Sequence, residues 1–206
     1  DKAMQTFVKD GDIVFDIGAH FGLYTLILSE LVGRKGKVFA FEPNIELLPS
    51  LRKTITAKDN IELFEVALSD HNGKASLFVP QDASMASLSD WTNGNAGSVH
   101  TVECEMRKLD DLVDTGKLMP PQFIKCDVEG AELSVFKGAF KLLNRVDAPI
   151  LMFEVNAKAA HSFGIDVKDY FALLESFEKA KYNFFEVLPN EVKFLEERED
   201  RKSTRL

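Results

Sequence analysis

Residues 13–28 read IVFDIGAHFGLYTLIL, and this stretch indicates how the fold begins. Ile13–Ile17 is a short run of β-branched and aromatic residues, which is typical of a buried strand. Gly18 and Gly22 follow it and allow a tight turn. From Leu23 the apolar residues recur at helical spacing. The stretch therefore predicts a strand, a glycine turn and a helix, which is the opening unit of a parallel sheet.

The same alternation continues along the chain and predicts an α/β fold with a doubly wound, Rossmann-like sheet that is mostly parallel. Further strands are predicted at Val38–Phe41, Ile61–Val66, Phe123–Asp127 and Ile150–Glu154. Further helices are predicted after Glu42, with Pro49 in the first turn, and over Ala131–Leu143 and Val167–Ala180.

Two segments depart from this alternation. Strands at Lys74–Val79 and Val99–Met106 predict an inserted β-hairpin, with the irregular segment Gln81–Ser98 between them as a variable loop. Near the end of the chain, Asn183–Leu188 and Val192–Leu195 flank Pro189-Asn190 and predict an antiparallel hairpin that closes the edge of the sheet.

Composition narrows the class of protein. The 206 residues carry 25 Lys+Arg against 33 Asp+Glu, a net charge of −8, which disfavours nucleic acid as a partner. No apolar stretch is long enough to span a membrane, and two cysteines without metal or redox spacing favour a cytoplasmic protein. We expect a single domain over residues 1–196, followed by a charged tail over residues 197–206.

Acidic residues stand at the predicted strand ends, where ligands bind in open α/β sheets. They are Asp16, Glu42, Asp70, Asp127 and Glu154. Carboxylates that gather at one edge of a sheet require a ligand that is cationic or rich in hydroxyl groups.

The glycine turn argues against a diphosphate as this ligand. His20 stands where the dinucleotide pattern G-x-G-x-x-G needs its second glycine, and Asp16 just ahead of the turn would repel phosphate. The Walker pattern is absent as well. Glu42 lies about twenty residues beyond Gly22, a spacing typical of an acid that accepts hydrogen bonds from ribose hydroxyls. A nucleoside with a positive tail, such as S-adenosyl-L-methionine, satisfies both constraints.

Four motifs in order resemble the FkbM-type methyltransferases, a branch of the class I S-adenosylmethionine-dependent fold. They are Asp16–Thr25, Phe41–Asn44, Ala67–Asp70 and Phe123–Glu132, although the family most often has Asn where this chain has His20. The resemblance implies that the turn holds the amino-acid part of the cofactor, that Glu42 holds the ribose and that Leu68–Asp70 border the adenine. The implied cofactor-binding residues are Asp16, Gly18, Ala19, Gly22, Thr25, Glu42, Pro43, Leu68, Ser69, Asp70 and Asp127.

Candidate catalytic residues lie at the same edge. Asp127, near the expected methyl group, Glu129 and His20 are the candidates for positioning the acceptor or removing its proton. Glu132 is instead expected to cap the following helix. We assign no metal; a magnesium site of Asp127, Glu154 and Asn156 is the alternative.

The sequence thus predicts S-adenosylmethionine-dependent O-methylation of a hydroxyl on a small-molecule or glycan-like acceptor. One alternative is an NAD(P)-dependent oxidoreductase or epimerase on the same sheet. The other is a non-catalytic nucleoside-binding module, which would lack a second concavity under the Gln81–Ser98 segment. Trp91 in that segment either stacks on a substrate or anchors the loop.

Overall fold

The computed structural model describes residues 2–92, 95, 97–188 and 192–195. Its strands are β1 Ile13–Ile17, β2 Lys37–Phe41, β3 Ile61–Phe64, β4 Ala67–Leu68, β5 Gly73–Val79, β6 His100–Arg107, β7 Phe123–Cys126, β8 Ile150–Phe153, β9 Phe185–Val187 and β10 Val192–Phe194. Its helices are α1 Lys2–Phe7, α2 Leu23–Val32, α3 Leu48–Ile55, α4 Leu109–Asp114, α5 Glu132–Gly138, α6 Phe140–Leu143, α7 Ala157–Ser162 and α8 Val167–Glu175.

Five parallel strands form the central sheet in the order β3-β2-β1-β7-β8. The strand order reverses beside β1, where Ile17 pairs with Phe41 of β2 on one side and with Cys126 of β7 on the other. Ligands of doubly wound sheets bind at the carboxyl ends of the strands that flank such a reversal. The predicted α/β class is therefore confirmed, and its topology locates the crevice at the ends of β1, β2 and β7.

The central strands are apolar because both faces of the sheet are covered. On one face Phe15, fully buried, meets the rings of Phe39 and Phe41 edge to face at centroid distances of 5.6 and 5.7 Å. On the other face Val14 packs with Leu28 of α2. Continuous burial on both sides explains why these strands show no polar alternation in the sequence.

The inserted β-hairpin is also confirmed. Strands β5 and β6 pair antiparallel along their whole length, from Gly73 opposite Met106 to Val79 opposite His100. The short strand β4 adds to β6 in parallel, which makes a separate three-stranded sheet in the order β4-β6-β5. Of the segment that follows β5, residues 83–88 lie at the crevice, with one turn of 3₁₀ helix at Ala83–Met85.

Two helices are shorter than predicted. The helix expected over Ala131–Leu143 is split at Ala139, because Gly138 packs so tightly on Ser69 that a Cβ there would lie 1.9 Å from the Ser69 carbonyl oxygen. The helix expected over Val167–Ala180 ends at Glu175. Within the described part of the chain, no helix is long and apolar enough to cross a membrane.

The C-terminal hairpin is antiparallel, but it does not close the edge of the sheet. The described strands β9 and β10 pair with each other as a separate two-stranded sheet. Each strand is only three residues long. The flanking residues Phe184 and Leu195 are buried in the main core, and neither strand pairs with β8. The expected turn at Pro189-Asn190 and the expected tail over residues 197–206 lie outside the described residues.

Candidate functional site

A cleft of about 1090 Å³, including its mouth, opens at the carboxyl ends of β1, β2 and β7. Eight of the candidate residues line it: Gly18, Ala19, His20, Glu42, Pro43, Leu68, Asp127 and Glu129. Five others lie outside the lining: Asp16, Gly22, Thr25, Ser69 and Asp70. The structure thus brings together one part of the expected site and places the rest beneath or beside it.

Glu42 is the acid most firmly fixed in the cleft. Its side chain is almost fully buried, and its two carboxylate oxygens accept hydrogen bonds from the backbone N–H groups of His20 at 2.7 Å and Asn44 at 2.9 Å. Burial raises the pKa of Glu42, and these two hydrogen bonds oppose the rise. Each carboxylate oxygen keeps a free lone pair, so Glu42 can accept further hydrogen bonds from a ligand.

The glycines of the turn have a packing reason for their identity. Gly18 has φ +81°, and a Cβ there would lie 1.9 Å from the carbonyl oxygen of Asp127. Gly22 has φ +87°, and its Cβ would lie 2.8 Å from a methyl group of Leu51 in α3. Both residues let the chain pass close to itself, and His20 between them also adopts a left-handed φ of +53°. This strained turn fixes the His20 N–H that holds Glu42.

Lys125 is the residue that the sequence analysis overlooked. It is only 5% exposed, and its Nζ lies 3.2 Å from Asp127 Oδ2, 3.7 Å from Asp16 Oδ1 and 4.8 Å from the ring centre of Tyr24. Burial alone would lower the pKa of Lys125, but the two carboxylates outweigh it and raise that pKa. A charged residue in the otherwise apolar run Phe123–Cys126 was the signal that could have indicated it.

Asp16 belongs to the floor beneath the cleft. It is fully buried, accepts a hydrogen bond of 2.5 Å from Thr25 Oγ1 and forms the ion pair with Lys125. Burial raises the pKa of Asp16, while Lys125 and Thr25 oppose the rise. Thr25 is buried too, so this pair supports the cleft from below.

The three residues predicted to border the adenine, Leu68–Asp70, lie in different surroundings. Leu68 is buried and lines the cleft, whereas Asp70 is partly exposed and its carboxylate pairs with His71 Nδ1 at 2.6 Å. That hydrogen bond is the main cause of a lowered pKa for Asp70. Ser69 is buried against Gly138 of α5. Of the three adenine-border candidates, Leu68 lines the cleft, and the contacts predicted for Ser69 and Asp70 stay predictions.

Glu129 lies at the cleft wall in an unusual conformation. Its φ is +52°, its carboxylate accepts a hydrogen bond of 3.0 Å from Asn156 Nδ2, and its carbonyl accepts one of 2.7 Å from Ser87 Oγ. Burial, opposed by the Asn156 hydrogen bond and reinforced by Asp127 and Glu154, raises the pKa of Glu129 to about 7. A carboxylate with this pKa can take up or release a proton near neutral pH.

Glu132 has a structural role, as expected, but in a different form. One carboxylate oxygen accepts hydrogen bonds from the N–H groups of Val128 and Gly130, ahead of α5, at 3.0 and 3.3 Å. The other accepts one from the Tyr170 hydroxyl at 3.3 Å. Glu132 thereby holds the loop that carries Asp127 and Glu129 in place.

A second concavity adjoins the cleft beneath the Gln81–Ser98 segment. The two share His20, Phe21, Ala83 and Ser84 in their walls. Trp91 anchors this segment, since it is 7% exposed and its Nε1 donates a hydrogen bond of 3.2 Å to the Met85 carbonyl. Its ring is absent from the lining of either concavity.

His20 is a half-buried side chain whose Nε2 atom is shielded from solvent. Burial lowers its pKa, and within the described residues its Nε2 has no hydrogen-bond partner. Among the same residues, no group of three or more His, Cys, Asp or Glu side chains is arranged to hold a metal ion. The alternative site of Asp127, Glu154 and Asn156 contains only two such side chains and stays a prediction.

Two proteins that are similar to this chain in sequence carry the names of methyltransferases. The hexuronic acid methyltransferase AglP of Haloferax volcanii is 29% identical over 167 residues, which are 81% of this chain and 62% of AglP. The 2-O-methyltransferase NoeI of Sinorhizobium fredii is 26% identical over 186 residues, which are 82% of this chain and 74% of NoeI. This chain therefore spans about three fifths of the length of AglP.

A solved structure shares the fold of this chain, and the model of a protein family matches its sequence. The crystal structure of methyltransferase FkbM from Methylobacillus flagellatus superposes with a TM-score of 0.55 at 21% identity, over 86% of this chain and 40% of that one. The model of the methyltransferase FkbM domain matches residues 16–194, nearly the whole chain. This protein accordingly belongs to the FkbM methyltransferase family.

Proposed function

We propose that this protein is an S-adenosyl-L-methionine-dependent methyltransferase that methylates a hydroxyl group of a small-molecule or glycan-like acceptor. The observation that carries the proposal is Glu42, a buried carboxylate at the end of β2 that two backbone N–H groups hold and whose remaining lone pairs can accept hydrogen bonds from a ligand. Family membership supports the methyl transfer. The names of AglP and NoeI support a sugar hydroxyl as the acceptor.

The residues of the cleft fit this cofactor. Glu42 would accept hydrogen bonds from the ribose hydroxyls, and Asp127 would attract the positive amino-acid tail. Phe41 and Leu68 would supply apolar wall for the adenine. When bound, S-adenosylmethionine supplies a methyl group activated by a sulfonium.

The chain's own contribution is positioning and proton removal. The cleft and the adjoining concavity meet at His20 and Phe21, so an acceptor in the second concavity lies beside the cofactor cleft. Holding the acceptor oxygen in line supplies much of the rate in such displacements. Glu129, with a pKa of about 7 and a place in the cleft wall, would take the proton from the acceptor hydroxyl.

Thermal-shift measurements with S-adenosylhomocysteine and with NAD test the cofactor. We expect S-adenosylhomocysteine alone to raise the melting temperature, and Glu42→Ala to abolish most of that rise. Glu46→Ala is the matched control, because Glu46 lies in the same loop between β2 and α3 but outside the cleft lining, where it pairs with His100. A rise with NAD instead would favour the oxidoreductase alternative.

Methyl transfer from labelled cofactor to a panel of glycosides and small alcohols tests the activity. Methylation of at least one hydroxyl acceptor is expected. Binding of S-adenosylhomocysteine without transfer to any acceptor would favour the non-catalytic binding module.

A further inference from the structure

The second concavity has walls whose chemistry suits a sugar ring. Phe21 is 47% exposed and presents an aromatic ring at the boundary with the cleft. Gln81 and Asn95 contribute amide groups, and Asp82 contributes a carboxylate. Amides and carboxylates pair with hydroxyl groups, and an exposed aromatic ring packs against the C–H face of a pyranose.

The charge of both concavities is negative where a ligand would lie. Among the described lining residues, Lys125 is the sole Lys or Arg, and its Nζ is engaged by Asp16 and Asp127. His20 is held neutral, since burial lowers its pKa. No described lining residue is therefore available to neutralise a carboxylate on the acceptor.

Asp82 places a fixed negative charge in the second concavity. Its Oδ1 accepts hydrogen bonds from the Ser84 hydroxyl at 2.7 Å and the Ser84 N–H at 3.0 Å. These hydrogen bonds lower the pKa of Asp82, so its carboxylate stays ionised at neutral pH. A second carboxylate brought into this concavity would meet a like charge without a counterion.

We propose that the second concavity is the acceptor subsite and that it takes a sugar ring without a carboxylate, with Asp82 excluding uronic acids. This inference rests on the proposed methyltransferase function and deepens it. It separates this protein from AglP, whose name specifies a hexuronic acid. The exclusion comes from charge, because the rings of a hexose and its uronic acid are alike in shape.

The test compares p-nitrophenyl β-glucoside with p-nitrophenyl β-glucuronide, which differ at C6 alone. Binding of each to protein saturated with S-adenosylhomocysteine is measured by calorimetry or saturation-transfer NMR, and methyl transfer is measured as kcat/KM. We expect the glucoside to bind about fivefold more tightly than the glucuronide at low salt, because Asp82 is solvent-exposed. Equal or tighter binding of the glucuronide, or binding of neither glycoside, would overturn the proposal.

Two variants locate the effect. Asp82→Asn keeps an oxygen that can accept from Ser84, and we expect it to lower the glucoside-to-glucuronide affinity ratio about fivefold by strengthening glucuronide binding. Phe21→Ala should weaken the binding of both glycosides by a similar factor. The matched control is Asp90→Asn, which removes the same charge from an exposed position in the same segment, outside both concavities. It should leave the glucoside-to-glucuronide affinity ratio unchanged.

Failure of this inference is distinguishable from failure of the proposed function. If S-adenosylhomocysteine stabilises the protein but the glucuronide is the better ligand, the cofactor assignment stands and the acceptor assignment is wrong. If S-adenosylhomocysteine does not bind at all, the proposed function itself fails. An unchanged glucuronide affinity in Asp82→Asn would show that Asp82 does not set the preference.

Discussion

Replacing Lys125 by Met should destabilise the fold more than any surface charge change. The substitution conserves much of the buried stem but leaves Asp16, which is fully buried, without its counterion. Asp16 would then keep only the hydrogen bond from Thr25 Oγ1. Removing one partner of a buried ion pair costs about 3–5 kcal/mol, since the remaining charge is desolvated and uncompensated.

The assay is thermal and urea-induced unfolding of the full chain. In a protein of this size 1 kcal/mol corresponds to about 2–4 °C, so we expect the melting temperature of Lys125→Met to fall by about 6–20 °C. Lys37→Met is the matched control on the neighbouring strand β2, where Lys37 pairs with Glu62 at the surface. That exposed pair should contribute about 0–1 kcal/mol. The double variant with Asp16→Asn should recover most of the lost stability.

The pH dependence gives a second check with a definite sign. Burial already raises the pKa of Asp16, and loss of Lys125 removes the main opposing charge and raises it further. A carboxyl with a raised pKa in the folded state loses stability as the pH rises through that pKa. The gap between wild type and Lys125→Met should therefore widen from acidic to neutral pH. A gap below about 1 kcal/mol, or one that does not vary with pH, would refute the role of Lys125 as the Asp16 counterion.

Three further changes test the site. In wild type kcat/KM should rise with pH through about 7 as Glu129 ionises, and Glu129→Gln should remove this limb and lower the rate about 10²–10⁴-fold. Glu42→Ala should weaken S-adenosylhomocysteine binding by about 1–3 kcal/mol in calorimetry, and unchanged affinity would contradict the ribose assignment. Gly18→Ala should destabilise the fold in urea by more than Gly116→Ala, because both have positive φ but a Cβ at Gly116 meets nothing within 4 Å. Gly116→Ala should cost about 1–2 kcal/mol, and equal losses would show that contact with Asp127 is unimportant.

The parallel core could be predicted from the sequence because its signals are local. The run Ile13–Ile17 is apolar except for Asp16, and the same residues form β1. The break of the predicted helix at Ala139 has a non-local cause, the close packing of Gly138 on Ser69 some seventy residues earlier. Likewise, no local pattern shows whether the C-terminal strands pair with β8 or with each other, since strand pairing depends on where Phe184 anchors the chain.

For the site, the sequence predicted which acidic residues stand at strand ends but not how deep each side chain lies. Glu42 and Asp127 line the cleft, whereas Thr25 lies buried beneath it. Lys125 was missed because a lone lysine in a strand is usually a solvent-facing residue at an edge. Its environment becomes visible only when β1 and β7 are placed side by side, which brings Asp16 into range.

The acidic residues at the strand ends differ in how deeply each carboxylate is buried and in whether a cation pairs with it. These two properties distinguish their roles better than position at a strand end does. Asp16 is fully buried and already has an internal cation, so a ligand can gain little from it. Glu42 is also buried but is held by neutral N–H groups alone, so its charge and lone pairs remain available to hydroxyl donors. Glu129 is only partly buried and lies next to other carboxylates, which brings its pKa to about 7 and suits it to proton transfer. We therefore infer that carboxylates of one site are suited to support, to ligand binding or to proton transfer according to how deeply each is buried and which group is its nearest partner.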